Sequence, residues 1–246
     1  MNTYSAYLIL VMAYFTGGGS LIAFAAFLYR GSFNIVPLGL DESRALLFDA
    51  GLSVLFFIQH SLMVRRQFRR SLERLIPEAY YSAFYAIVSG IVLLMVIVFW
   101  QGSDRMLKAF PGLSGCIFRS MFLASLAGFA WSARALEFID PFGVRRIINL
   151  LHGRKPEQIP FIVKGPYRWV RHPLYFFTLL MIWSCPNLSM DRLLFNFLWT
   201  IWIFVGALLE EQDLIADFGD RYIEYQRRVP MLIPNKIPAR HFENYQ

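Results

Sequence analysis

Two arginines, a histidine and two tyrosines crowd the mouth of one apolar segment in Gly165-Pro166-Tyr167-Arg168-Trp169-Val170-Arg171-His172-Pro173-Leu174-Tyr175. Downstream, Glu210-Glu211 closes the next apolar segment, and Phe218-Gly219, Tyr222, Tyr225 and Val229-Pro230 follow. Ionisable groups at membrane depth are costly, so they tend to line pathways or sites. Cations, carboxylates and aromatic faces gathered at the ends of a short apolar hairpin have the chemistry of a pocket for a charged cofactor, opening into a bilayer. Basic and aromatic residues also collect at helix ends as interfacial anchors, which is the competing reading of Arg168, Arg171 and His172 taken singly. Pro173 has a structural role as well, since proline can start a helix at its first position without losing a hydrogen bond.

The elements that must hold these groups are apolar helices. Of 246 residues 57% are hydrophobic and only 17% charged, against roughly a quarter charged in a soluble domain. The net charge of +7 does not imply nucleic acid, because the basic residues lie between apolar runs and form no single soluble stripe. The N-terminus has neither a basic leader nor a small-residue cleavage site, so a removed signal peptide is not expected. Cys116 and Cys185 form no metal or redox motif, and no metal site is expected.

One crossing takes about 20 apolar residues. Residues 4–29, 45–63, 80–100 and 117–136 qualify, with Gly17-Gly18-Gly19 permitting close packing or a bend in the first. Residues 174–185 are apolar but short, and 193–209 are the last long run. The expected fold is all-α and integral to the membrane, with about six transmembrane helices when the short run is included. The last two form a helical hairpin, and residues 211–228 form an amphipathic cytoplasmic tail helix with Leu214, Ile215, Phe218, Tyr222 and Tyr225 on its apolar face. Arginine and lysine gather after the second run (Arg65, Arg66, Arg69, Arg70, Arg74), after the fourth, and in the tail. That asymmetry puts all three segments and both termini in the cytoplasm. Two regions are expected, a four-helix transmembrane part over 1–136 and a cofactor-binding core over 137–246. Asp140 and Glu137 suit caps at the break after the fourth helix.

Residues 161–175 and 210–230 resemble the membrane methyltransferases that include isoprenylcysteine carboxyl methyltransferase and the phospholipid methyltransferases. The residues that carry the likeness are Gly165-Pro166-Tyr167, Arg171-His172-Pro173-Leu174-Tyr175, Glu210-Glu211, and Phe218-Gly219 with Tyr222, Tyr225 and Val229-Pro230. Phe57-Ile58-Gln59-His60-Ser61-Leu62-Met63 and Phe138-Ile139-Asp140-Pro141-Phe142-Gly143 look like the branch with methanethiol S-methyltransferase, NnrU-type proteins and nurim.

The resemblance implies S-adenosyl-L-methionine as cofactor, with contacts along Ile159, Pro160, Phe161 and Ile162, at Tyr167, along His172, Pro173, Leu174 and Tyr175, at Glu210, and at His152. The chemistry agrees: Glu210 can accept from the amine or the ribose, Arg171 suits the carboxylate or the local field, and the tyrosine faces favour a sulfonium. His60 lies inside the second apolar run, where it is either a satisfied interhelical hydrogen bond or the proton acceptor for a thiol.

Two departures bear on the substrate. Phe177 stands where the family usually has glycine, two residues past the motif tyrosine, and it raises the non-enzymatic alternative of a nurim-like membrane protein. Residues 204–209 hold no cation where prenylcysteine enzymes carry an arginine, which disfavours a carboxylate acceptor and favours a small apolar thiol. The function implied is methylation of a small thiol, methanethiol to dimethyl sulfide, with a lipid or prenylated acceptor as a further alternative. The location implied is a bacterial inner membrane.

Overall fold

The computed structural model describes residues 3–72, 74–136, 140–154 and 161–236. Nearly all regular structure there is helical. In chain order the elements are α1 (Thr3–Ala13), a π-helical turn (Tyr14–Gly18), α2 (Gly19–Arg30), α3 (Glu42–Val64), α4 (Arg66–Leu72), α5 (Glu78–Phe99), β1 (Met106–Ala109) and α6 (Gly112–Ala135). They continue as α7 (Val144–Leu151), a 3-10 turn (Gly165–Arg168), α8 (Pro173–Trp183), β2 (Asn187–Ser189), α9 (Met190–Phe218) and α10 (Asp220–Arg228). β1 and β2 pair as one small two-stranded sheet.

Among the described residues, five segments are long and apolar enough to cross a membrane: Thr3–Arg30, Glu42–Val64, Glu78–Phe99, Gly112–Ala135 and Met190–Phe218. This is the architecture of a mostly helical, multi-pass membrane protein. α8 has 11 residues, about 16 Å at ~1.5 Å per residue, and is shorter than the ~30 Å hydrocarbon layer. The expected sixth helix is therefore present as a short apolar element.

Local chemistry sets the boundaries. The Asp41 side chain accepts the amide of Arg44 and caps α3. Asp140 Oδ1 accepts from the Val144 amide at 2.8 Å and Oδ2 from the Arg146 amide at 3.2 Å, so the expected cap at this break starts α7. Glu137 lies outside the described residues. Pro173 begins α8, and Gly219, at φ +56°, breaks the chain between α9 and α10.

Two units divide the chain and interleave along it. The first comprises Met1–Arg105, Ile139–Gln158 and Ser189–Phe195; the second comprises Met106–Phe138, Ile159–Leu188 and Asn196–Gln246. In the first, α5 is the central helix, with α1, the π-helical turn, α2, α3 and α7 packed on it. Its core includes Ala6, Leu10, Ala13, Tyr80, Ala83, Ala86 and Ile147.

Of the glycine triplet, Gly17 makes the close approach, and it meets Gly90 of α5. A Cβ on Gly90 would stand 2.5 Å from the Thr16 carbonyl oxygen, and one on Gly17 would meet the Phe142 ring at 3.0 Å. The π-helical turn thus lies directly on the α5 backbone, the close approach that small residues allow between membrane helices. Gly90→Val is expected to destabilise the detergent-solubilised protein by about 3 kcal/mol, the upper end of what overpacking costs. Thermal unfolding checks it, and an unchanged midpoint would mean these helices do not touch.

One end of this unit carries a buried polar set. Asp49, fully buried, accepts the Gln101 amide at 2.9 Å, and Asp191 accepts from Trp100 Nε1 and the Ser103 amide, both at 3.1 Å. Arg192 donates to the Phe27 and Leu28 carbonyls at the end of α2, at 3.3 and 2.5 Å, so the last carbonyls of that helix find a cation.

The second unit is organised around α6 and α8. A Cβ on Gly128 would lie 2.2 Å from Phe177 Cε1. The phenyl ring on α8 therefore rests on the bare backbone of α6, in space that Gly128 leaves open.

Candidate functional site

The site is built within the second unit, from the segment before α8, the end of α9, and α10 with the residues after it. The positive φ of Gly165, +54°, turns the chain into the 3-10 turn. The turn sits against α6, where a Cβ on Gly165 would meet Trp131 Nε1 at 3.2 Å. The chain then runs beside residues 229–231: the Arg171 amide donates to the Pro230 carbonyl at 2.9 Å, and the His172 amide to the Met231 carbonyl at 3.1 Å. The Tyr225 hydroxyl donates to the Tyr167 carbonyl at 2.6 Å. Val163, Tyr222, Tyr225 and Val229 form the apolar floor, with Phe161, Tyr167 and Phe218 against it.

Glu211 is the hub. Its carboxylate accepts from Arg171 Nε at 2.5 Å, Gln226 Nε2 at 2.8 Å, His172 Nε2 at 3.2 Å and the Tyr222 hydroxyl at 3.3 Å. A buried carboxylate needs this many donors, because every lone pair left unmet costs free energy. Arg171 also donates to the carbonyls of Gln226, at 3.0 Å, and of Val229. Glu210 differs: its side chain is 44% exposed, and Oε2 lies 3.6 Å from His172 Nδ1. The imidazole thus stands between a buried carboxylate and an open one, and its ring stacks on Tyr175 at a centroid distance of 5.4 Å.

The phenols around this network remain donors at neutral pH. Burial, then the charge of Glu210, pushes the Tyr167 hydroxyl above the usual phenol range. Burial and the charge of Glu211 raise Tyr222, and burial raises Tyr225 as well.

Of the residues expected at the site, Phe161, Ile162, Tyr167, Arg171, His172, Pro173, Leu174, Tyr175 and Glu210 belong to this unit. Phe161 lies on the apolar floor, its ring 5.1 Å from that of Phe218, and Ile162 is partly buried beside it in sequence. Ile159 and Pro160 lie outside the described residues. His60 and His152 belong to the first unit. There, His60 Nε2 is 2.8 Å and Nδ1 3.0 Å from the Tyr85 hydroxyl, and His152 Nδ1 is 2.9 Å from the Ile148 carbonyl of its own helix.

One expectation needs correcting. Glu210-Glu211 does not end the last apolar helix: α9 continues to Phe218, and the separate α10 starts at Asp220. Arg171 and the other donors neutralise the cost of burying Glu211, so the helix has no cause to stop there. The guanidinium of Arg171, chosen for a ligand carboxylate or the local field, is committed to Glu211 and two backbone carbonyls. In the sequence Glu211 is singled out only as half of the acidic pair, with no role of its own, and Gln226 is not singled out. The doubled glutamate was the available signal, since two adjacent acids on one helix cannot share the same surroundings.

The NnrU protein family matches residues 49–209. With the mostly helical fold and this arginine–histidine–glutamate network, the chain belongs to that family of membrane proteins. It is 37% identical to methanethiol S-methyltransferase of Crocosphaera subtropica over 208 residues, 81% of each chain. It is 31% identical to methanethiol S-methyltransferase 2 of Bradyrhizobium diazoefficiens over 92% of each chain. Nurim of Xenopus laevis is a more distant relative, 23% identical over 77% of this chain and 70% of its own. No solved structure matches the chain.

Proposed function

We propose that the protein is an integral membrane methyltransferase that uses S-adenosyl-L-methionine to methylate a small thiol, with methanethiol as substrate and dimethyl sulfide as product. One observation carries the reading: the segment before α8 and the acidic end of α9 meet in a single network, with Glu210 left open beside it. The names of the relatives at 31 and 37% identity supply the reaction.

The donor set fits the cofactor. S-adenosyl-L-methionine supplies, when bound, a methyl carbon on a sulfonium, together with an ammonium and a ribose diol. Glu210 is a half-exposed carboxylate of the kind those donors need, and Tyr167 and Tyr175 offer aromatic faces that favour a sulfonium. Phe161, Ile162, Pro173 and Leu174 contribute apolar surface. Arg171 acts as a positioning group: it fixes Glu211 and the Gln226 and Val229 carbonyls, and so holds the segment before α8 against α10. In the transfer one carbon–sulfur bond forms as another breaks, and the thiol gives up its proton. His60 Nε2 or Nδ1, held by the Tyr85 hydroxyl, is proposed as the acceptor of that proton. The chain's contribution is alignment, water exclusion and acceptor deprotonation, without a covalent intermediate.

The core over 137–246 is proposed to bind the cofactor, with Ile159, Pro160 and His152 among its contacts. Both termini are proposed to be cytoplasmic, on the distribution of arginines. A non-enzymatic membrane protein is the second reading, and the likeness to nurim favours it. The seat of Phe177 on Gly128 argues for the enzyme, because the ring occupies the contact between α6 and α8. An acceptor panel separates the readings: purified protein with methyl-labelled S-adenosyl-L-methionine and, in turn, methanethiol, a prenylated cysteine and a phospholipid. Label should pass to the thiol alone. Transfer to the prenyl or lipid acceptor would reassign the substrate, and no transfer together with no heat of cofactor binding would favour the scaffold.

A further inference from the structure

The bend between α3 and α5 carries Arg65, Arg66, Arg69, Arg70 and Arg74, and the site above uses none of them. The bend is held in place. The Tyr81 hydroxyl donates to the Met63 carbonyl at 2.6 Å, closing the end of α3 onto α5. Arg69 pairs with Glu78 at 2.6 Å, and its guanidinium lies 5.5 Å from the centre of the Tyr81 ring. Ile76 packs against the core of the unit. Yet α4 buries no residue. Arg70 and Arg74 are exposed, with no partner among the described residues, and Leu75 beside them is 79% exposed. Two exposed guanidinium groups without a partner among the described residues, and a bare leucine, are thus presented where two membrane-crossing helices end.

We propose that this bend is a binding surface for the phosphodiester headgroups of anionic phospholipids, with Arg70 and Arg74 as the headgroup ligands and Leu75 in the acyl boundary. The planar guanidinium suits a phosphate, which it can meet with two parallel N–H donors. Helices α3 and α5 place the bend at headgroup depth, because each spans the apolar layer and stops at it. Basic residues just beyond a membrane helix gain about 1 kcal/mol each from an anionic leaflet, roughly fivefold in affinity. The paired Arg69 serves as the fixed strut, and the exposed Arg70 and Arg74 do the binding. This surface is independent of methyl transfer, so failure of that reading leaves it standing.

The test uses the full chain in nanodiscs of phosphatidylcholine, titrated with phosphatidylglycerol, and compares it with the variant Arg70→Gln/Arg74→Gln. Lipid retention by native mass spectrometry is the readout. Wild type should retain phosphatidylglycerol over phosphatidylcholine, and the double variant should weaken that retention about 25-fold, two steps of fivefold. Its unfolding midpoint in phosphatidylcholine alone should not move, because neither side chain is buried. Inorganic phosphate should not displace the lipid. Equal retention of both lipids by wild type, or undiminished retention by the double variant, overturns the proposal. Displacement by inorganic phosphate would overturn it too, by assigning the arginines to a free phosphate.

Discussion

Glu211→Ala is expected to lower the unfolding free energy of the detergent-solubilised protein by about 3 kcal/mol, the lower end for breaking a buried ion pair. The side chains of Arg171 and Glu211 are each only 10% exposed, so the substitution strands a guanidinium away from water. The cost stays at the low end because Arg171 keeps the carbonyls of Gln226 and Val229. Gln226 Nε2, His172 Nε2 and the Tyr222 hydroxyl lose an acceptor at the same time. Because those donors come from α10 and from the segment before α8, cofactor binding should fail with stability. Glu211→Gln, which keeps the shape and one acceptor oxygen, should fall between. Thermal unfolding of the three proteins in one detergent checks the order, and a Glu211→Ala midpoint equal to wild type would remove Glu211 from the centre of the network.

Glu210→Ala should behave in the opposite way. Its carboxylate is 44% exposed and touches the network only across 3.6 Å to His172 Nδ1. Stability should therefore stay within about 0.5 kcal/mol of wild type, as for ordinary surface substitutions. If Glu210 holds the amine or ribose of the cofactor, a charge-assisted hydrogen bond of about 1.5–3 kcal/mol disappears, and affinity for S-adenosyl-L-methionine falls roughly 10- to 100-fold. Two neighbouring glutamates would then separate cleanly, one by stability and one by binding. Calorimetric titration of Glu210→Ala with the cofactor reads the second half of that pair. Unchanged affinity would take Glu210 out of the site.

The long apolar runs were plain in the sequence because a membrane crossing averages hydropathy over many residues, and the five long helices fall on five of the six expected runs. The meeting of Arg171 and His172 with the glutamate pair was legible from motif order. What escaped was the choice between neighbours. Glu210 and Glu211 are alike as letters, and only the direction of each side chain on α9 decides which faces Arg171. The same blindness hid the end of α9, since an acidic pair reads as a helix terminus until its counter-charge is found 40 residues away in the chain. Phe177 raised the non-enzymatic alternative because the glycine that receives its ring, Gly128, lies on a different helix. Asp49 and Arg192 escaped for a related reason: one charge inside an apolar run barely moves its mean, and its partners, the Gln101 amide and the carbonyls of Phe27 and Leu28, are backbone groups that no side-chain pattern reveals.

The central claim is that a nucleoside sulfonium lodges where the segment before α8 meets the acidic end of α9, and that its methyl group leaves on a small sulfur nucleophile. Headspace chromatography of purified protein incubated with methyl-labelled S-adenosyl-L-methionine and methanethiol tests it most directly. Labelled dimethyl sulfide should accumulate with wild type and fall with Glu210→Ala at subsaturating cofactor. A wild-type headspace without labelled dimethyl sulfide, from folded protein at saturating concentrations of both substrates, would contradict the account.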